Sequence, residues 1–292
     1  MTAGNIGGLL RECTRRLAES GNDNPRFEAE QLLMKLCGVT RNDMLMFPGL
    51  AVTEQQLAEA QRLTERRLSG EPLQYILGEW EFYGLPFYVG EGVLIPRQDT
   101  ETIAELALDY ARKRKSQEFI AADLCAGSGC IGITLAKLAG VSVKLLELSE
   151  QALAFLRRNI VLNDVERLCE AVPADVLLEE TAASLPELDL IVTNPPYLTA
   201  EDMENLQTEV RFEPETALYG GGDGLDYYRR MLPLWTKRLK PGGMIAAEIG
   251  MGQEKDVMRI FEESGITPQC KKDMCGVIRV IYGIKNGGKI NG

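Results

Sequence analysis

Apolar positions between residues 24 and 70 recur at helical spacing. Asn24-Pro25 offers an N-cap followed by a first-turn proline, and Phe27, Leu32, Leu33 and Leu36 then lead to a stop at Gly38. Thr53-Glu-Gln-Gln56 has the form of a capping box and opens a helix carrying Leu57, Ala60, Leu63 and Leu68, closed by Gly70. Residues 1–78 therefore read as a small all-helical domain. At residue 79 the pattern changes. Residues 79–97 (EWEFYGLPFYVGEGVLIPR) are aromatic and β-rich, punctuated by Gly84, Pro86, Gly90 and Gly92, which predicts a β-hairpin linking two domains.

Short apolar runs then alternate with helical stretches over residues 98–292. Strands are predicted at 119–124 (FIAADL), 143–147 (VKLLE), 189–194 (DLIVTN), 244–249 (MIAAEI) and 277–283 (VIRVIYG). Runs that are apolar without alternation are covered on both faces. The expected fold class is α/β, a mostly parallel, doubly wound Rossmann-like sheet with its ligand crevice at the carboxyl ends of the strands. The closing residues 285–292 (KNGGKING) read as a flexible tail. A length of 292 residues accommodates one large domain or two.

Composition narrows the function. With 45% hydrophobic and 26% charged residues, global disorder and collagen-like repeats are excluded. No apolar run reaches the roughly eighteen residues that span a bilayer. The amino terminus has charges inside its apolar stretch and no cleavage pattern, so no secretory signal is expected and the location reads as cytoplasmic. Thirty-two basic against 43 acidic residues give a net charge of −11, a poor basis for gripping nucleic acid through its phosphates. Arg66-Arg67 lie in a front segment with nine basic and eleven acidic residues, so they read as a solvated face. The seven cysteines contain no C-x-x-C pair; most read as buried small hydrophobes in a reducing compartment, with neither a disulfide framework nor a zinc ribbon. Histidine is absent, which removes Ser–His and Cys–His nucleophile systems and histidine-ligated metals.

Two segments carry candidate chemistry. Asp123-Leu-Cys125-Ala126-Gly127-Ser128-Gly129-Cys-Ile-Gly132 follows a predicted strand and opens a helix, so its backbone can approach a ligand closely. Glu147, at the end of the next strand, can hold a ribose hydroxyl in either a nicotinamide or an adenosylmethionine site. Asn194-Pro195-Pro196-Tyr197 follows the strand DLIVT. The prolines stiffen the segment and remove two donors. The Asn194 side-chain oxygen and the Pro195 carbonyl can together accept both hydrogens of a planar NH₂ group, with Tyr197 offering a face to its plane. A proline turn after a buried strand explains Pro-Pro alone, but not the flanking Asn and Tyr.

The glycine loop, the acidic strand end and NPPY resemble the amino-group methyltransferases that use S-adenosylmethionine. Further segments narrow the resemblance to the peptide chain release factor glutamine methyltransferases (the HemK family): Gly70–Gly78, Phe82–Val89, Leu94-Ile-Pro-Arg-Gln-Asp-Thr-Glu101, Val210-Arg-Phe-Glu-Pro-Glu-Thr-Ala-Leu218, Lys272–Gly276 and Arg279. The resemblance covers nearly the whole chain. It implies a cofactor loop at Asp123 and Cys125–Gly129, a cofactor carboxylate at Glu147 and an adenine-side contact at Asp175-Val176 after a third strand. It also implies a substrate clamp at Asn194–Tyr197, with Asn194 near the cofactor. The implied acceptor is the glutamine of a Gly-Gly-Gln motif in release factors, methylated on its amide nitrogen, and the helical domain 1–78 is expected to recognise that protein substrate. Three positions depart from the family's pattern: Cys125 stands for its first glycine, Glu147 for the commoner Asp and Gln98 for a usual proline.

Asp99 and Thr100 read as caps of the helix through Ile103, Leu106 and Leu108, and Arg97 as the partner of a nearby carboxylate or a catalytic group. The RFEP segment reads as a lid or an ordered loop, and the following Gly220-Gly-Gly-Asp-Gly224 as a source of mobility. Three rival readings are a DNA or RNA amino-methyltransferase, a nicotinamide oxidoreductase and a cofactor-binding module without activity. The first fits poorly with the charge, and the second gives no reason for NPPY.

Overall fold

A computed structural model describes residues 4–114 and 118–286. Residues 287–292, most of the expected tail, lie outside the described residues. The chain divides into two compact units, residues 1–79 with 207–212 and residues 80–206 with 213–292.

The first unit is helical: α1 (Ile6–Glu19), α2 (Pro25–Cys37), α3 (Arg41–Met46), α4 (Glu54–Leu68) and α5 (Leu73–Leu77). Its core joins Ile6, Leu9, Cys13, Leu17, Ala29, Leu33, Met44 and Ala60. Gly38 ends α2 in the left-handed conformation, and Thr53 with Gln56 forms the expected capping box of α4. Asn24 precedes α2 but makes no side-chain cap bond. The Arg66-Arg67 expectation fails. Arg67 is only 10% exposed, bonded to Glu28 at 2.6 Å and to Glu209 at 2.7 Å, while Arg66 pairs with Glu71. Carboxylates arriving from α2 and from residues 207–212 make its burial possible.

In the second unit a two-stranded hairpin, β1 (Glu79–Phe82) and β2 (Leu85–Tyr88), packs on a seven-stranded sheet domain. Phe82 and Phe87 are fully buried in an edge-to-face pair with centroids 6.2 Å apart. The sheet contains β3 (Ile120–Leu124), β4 (Ser142–Glu147), β5 (Cys169–Pro173), β6 (Leu188–Thr193), β7 (Leu239–Glu248), β8 (Gln269–Lys272) and β9 (Ile278–Ile284). Their order is β5-β4-β3-β6-β7-β9-β8, parallel from β5 to β7, with β9 antiparallel between β7 and β8. Helices α6 (Glu101–Lys113), α7 (Cys130–Ala139) and α8 (Glu150–Leu162) supply the core of one face. Helices α9 (Glu179–Ser184), α11 (Asp226–Trp235) and α12 (Glu254–Glu263) supply the other, and α10 (Ala200–Glu204) lies in the long connection after β6.

This is the expected doubly wound α/β arrangement. All five expected strands are present, and β5 and β8 are additional. The cysteines divide differently from expectation: Cys13, Cys130 and Cys169 are buried, but Cys270 and Cys275 are exposed, because they sit on and beside the edge strand β8. Among the described residues no helix is long and apolar enough to cross a membrane.

Candidate active site

The winding direction reverses between β3 and β6, and there the two candidate segments leave the sheet together. Leu124 pairs with Thr193, whose hydroxyl donates to the Leu124 carbonyl at 2.8 Å. Cys125 and Asn194 therefore depart from neighbouring strand ends, at the position where open α/β sheets bind ligands.

The glycine loop is held from below and from the side. Asp123 is buried beneath it and accepts the Gly132 N–H at 2.9 Å, which ties the end of β3 to the first turn of α7. Burial pushes the Asp123 carboxyl up to about 7, against the Gly132 hydrogen bond and with help from the negative Glu147. Its Oδ1 has no hydrogen-bond partner among the described residues. Cys125 adopts φ +60°, a conformation that costs a residue with a Cβ, and burial holds its thiol well above the usual range. Gly127 and Gly129 also have positive φ, and a side-chain carbon on Gly129 would lie 2.4 Å from Leu156. Glu147 takes the N–H of Gly127 and of Ser149, each at 2.8 Å, so its carboxylate is fixed at the rim of the loop. Asp175 Oδ1 accepts the Leu177 N–H at 2.8 Å.

A cavity of about 380 Å³ opens over these strand ends. Cys125, Ala126, Gly127, Ser128, Glu147, Asp175, Val176, Asn194 and Pro196 all line it. Asp123, Gly129 and Pro195 are not among its lining residues. Tyr197 lines a neighbouring cavity of about 630 Å³ with Arg229, Arg259 and Arg279, and burial raises its phenol. Each of those arginines is paired with an aspartate.

The flanking segments have structural partners. Arg97 pairs with Glu213 of the RFEP segment, which also accepts the Ile95 N–H at 3.0 Å. Thr100 makes no capping bond to α6. Its hydroxyl instead accepts from Asn194 Nδ2 at 3.3 Å, and Asp99 pairs with Arg279 at 2.8 Å. Glu101 accepts the Tyr83 N–H at 3.0 Å. The glycine run after RFEP has a packing reason. A Cβ on Gly220 would lie 2.6 Å from the Pro196 carbonyl oxygen, and one on Gly224 2.2 Å from that of Tyr197. These glycines let the backbone press against the clamp.

Two site residues escaped the sequence reading. Tyr227 on α11 lines the cavity. Glu248, at the end of β7 and 2% exposed, lies beside Thr100 and Asn194. The only local sign of Glu248 is a lone acid at the end of the apolar run Met244-Ile-Ala-Ala, with no motif after it to mark a role.

The Glu147 carboxylate, an acceptor that suits a ribose hydroxyl, stands at the second strand end, and a Cβ on Gly127 would meet nothing within 4 Å beyond its chain neighbours. Among solved structures, the fold is similar to the hMettl16 catalytic domain in complex with MAT2A 3'UTR hairpin 6 (TM-score 0.56, 15% identity, covering 81% of this chain and 84% of that one). The fold is that of a Rossmann-like methyltransferase. Residues 8–78 match the PrmC N-terminal domain and residues 104–223 the methyltransferase small domain. A release factor glutamine methyltransferase of Geobacter sulfurreducens is 41% identical over 275 residues, covering 91% of this chain and 92% of that protein. One from Moorella thermoacetica is 40% identical over 264 residues, covering 88% and 89%. The chain belongs to the release factor glutamine methyltransferase family.

Proposed function

We propose that the protein transfers a methyl group from S-adenosylmethionine to the side-chain amide nitrogen of the Gly-Gly-Gln glutamine in peptide chain release factors. A cytoplasmic location follows from that substrate. The observation that carries the reading is full-length similarity to curated glutamine methyltransferases, joined to an Asn194–Tyr197 segment leaving the sheet beside the glycine loop. Cys125–Ser128 would hold the cofactor's methionine end, Glu147 its ribose, and Asp175 with Val176 its adenine.

When bound, S-adenosylmethionine supplies a sulfonium-activated methyl, whose carbon–sulfur bond breaks as the carbon–nitrogen bond forms. The protein has to place a weak nucleophile, because the amide lone pair is delocalised. Asn194 Oδ1 and the Pro195 carbonyl accept the two N–H bonds and favour positive charge developing on nitrogen. Tyr197 bounds the acceptor side. The proton leaves after attack, when it is strongly acidic, so a histidine is not required.

The test is labelled methyl transfer to a release factor, followed by digestion and mass mapping. One methyl on the Gly-Gly-Gln glutamine is expected, and none when that Gln is Glu, which offers no N–H and sets a negative oxygen against two acceptors. Asn194→Ala should lower turnover about 10²–10³-fold, as loss of one preorganised polar contact does in acyl transfer. Labelling of adenine- or guanine-containing oligonucleotides, with none on the release factor, would move the function to nucleic acid.

A further inference from the structure

Asn194 serves a clamp in one orientation only. Its side-chain oxygen must face the acceptor nitrogen, which turns its own NH₂ toward the protein. Oxygen and nitrogen of an amide are nearly the same size, so shape does not choose between the two orientations. Hydrogen-bond partners behind the amide have to choose.

Two acceptors stand there. Asn194 Nδ2 donates to Thr100 Oγ1 at 3.3 Å. The Glu248 carboxylate lies beside both the Thr100 hydroxyl and the Asn194 amide. Strand register accounts for the placement: Thr193 of β6 pairs with Ala247 of β7, so Asn194 and Glu248 are the next residues on adjacent parallel strands. The Glu248 backbone is fixed as well, since its carbonyl accepts the Tyr228 hydroxyl at 2.7 Å. Its side chain is 2% exposed and Oε2 finds no hydrogen-bond partner among the described residues. Arg279, the cation on that side, is already paired with Asp99 at 2.8 Å and Asp273 at 3.1 Å. A buried, under-bonded carboxylate is costly to the fold, and its position against the clamp gives it a use.

We propose that Glu248 is a positioning residue for methyl transfer: with Thr100 it holds the Asn194 amide so that the oxygen faces the acceptor. An ionised carboxylate accepts hydrogen bonds and donates none, so it attracts Nδ2 and repels Oδ1. The inference rests on the methyltransferase reading above. It also requires Glu248 to be charged. Burial raises its carboxyl to about 7; the Thr100 hydroxyl opposes this, Asp99 adds to it, and Arg279 and the Asn194 amide oppose it. Tyr197, Tyr228 and Cys130 also face Glu248 and have raised values of their own, so they are neutral in this range. Once protonated, Glu248 can donate to Oδ1 and turn the amide over. Turnover therefore rises with pH through about 7.

Glu248→Gln keeps the shape but presents either a donor or an acceptor, so it no longer selects an orientation. With a release factor as acceptor, kcat should fall about tenfold to hundredfold, the worth of one hydrogen bond to a charged group. S-adenosylmethionine affinity by calorimetry should stay near wild type, the melting temperature should not fall, and the rise of kcat through pH 7 should disappear. Glu248→Asp should recover part of kcat and keep the pH dependence. Thr100→Val should move the pH midpoint upward, because the hydroxyl favours the charged carboxylate. A Gln variant with wild-type kcat and pH profile overturns the proposal, as does one that loses only folding or cofactor affinity. Wild-type protein that labels no release factor would instead overturn the function reading.

Discussion

Glu147 sits where strand, loop and helix meet. Two backbone N–H groups, of Gly127 and Ser149, orient its carboxylate at the cavity wall. Replacing it with Ala removes the proposed ribose acceptor and leaves the Gly127 N–H without its partner. Affinity for S-adenosylmethionine should drop roughly tenfold to hundredfold, the worth of a charge-assisted hydrogen bond. Calorimetry measures this directly, and unchanged affinity would make Glu147 a bystander at a strand end. Glu147 and Asn194 were legible in the sequence because each ends an apolar strand and opens a short motif. Glu248 and Tyr227 were not. No local motif surrounds either, and Glu248 reaches Asn194 only through the β6–β7 register, a long-range pairing that no sequence window contains. Thr100 was legible as a polar residue at a helix start, but its hydroxyl is taken by Asn194 instead of the helix.

Helix α8 ties the hairpin to the cofactor loop through one side chain. Asn159 is fully buried; it accepts the Tyr88 N–H at 2.7 Å and donates to the carbonyls of Tyr88 at 3.1 Å and Ser128 at 2.9 Å. Asn159→Leu would strand three backbone groups and should cost about 3 kcal/mol or more, since each buried unsatisfied group costs about 1–3. Denaturant unfolding checks it, and a loss below about 1 kcal/mol would show that water takes over these bonds. In the helical unit, the end of α3 and the turn after it expose Leu45, Met46, Phe47 and Leu50, with Met46 at 72% and Phe47 at 58%. A contiguous apolar patch of this kind suits a protein partner. On the proposed reading that partner is the release factor, and Met46→Ser with Phe47→Ser should raise KM for the intact factor about tenfold, near 1.4 kcal/mol. Cofactor affinity should not change, and an unaltered KM would send the patch to another partner. The two strands that no apolar run announces, β5 and β8, are the edges of the sheet. β8 reads Gln-Cys-Lys-Lys and is mostly exposed, while β5 is buried fully only at Cys169. β7 begins at Leu239 instead of Met244, ahead of a register shift against β6 that periodicity cannot show.

At the scale of the molecule, the change of pattern near residue 79 is legible in the sequence, and one compact unit gives way to the other there along the chain. The return of residues 207–212 to the helical unit is not legible, because Arg67 and Glu209 meet across 142 positions. The charge balance has a consequence of its own. Asp123 and Glu248 are both pushed up to about 7 by burial, whereas an unfolded chain ionises such groups near pH 4. Between those values the native state holds more protons than the unfolded one, so stability falls as pH rises and levels off above about 7. Carboxylates held low by partners, such as Asp223 beside Arg229 and Glu209 beside Arg67, lose their contribution only as pH falls through their own depressed range. The raised thiols of Cys125, Cys130 and Cys169 titrate above the interval. Each unit of elevation corresponds to about 1.4 kcal/mol, so unfolding free energy should decline by a few kcal/mol from about pH 5 to 8. Denaturant titrations followed through buried Trp235 should show it, and Asp123→Asn, which keeps an acceptor for the Gly132 N–H, should remove about half the slope. Turnover should rise over the upper part of the same interval as Glu248 ionises. Stability and activity would then peak on opposite sides of neutrality, and a pH-independent unfolding free energy would refute the buried charges as its cause.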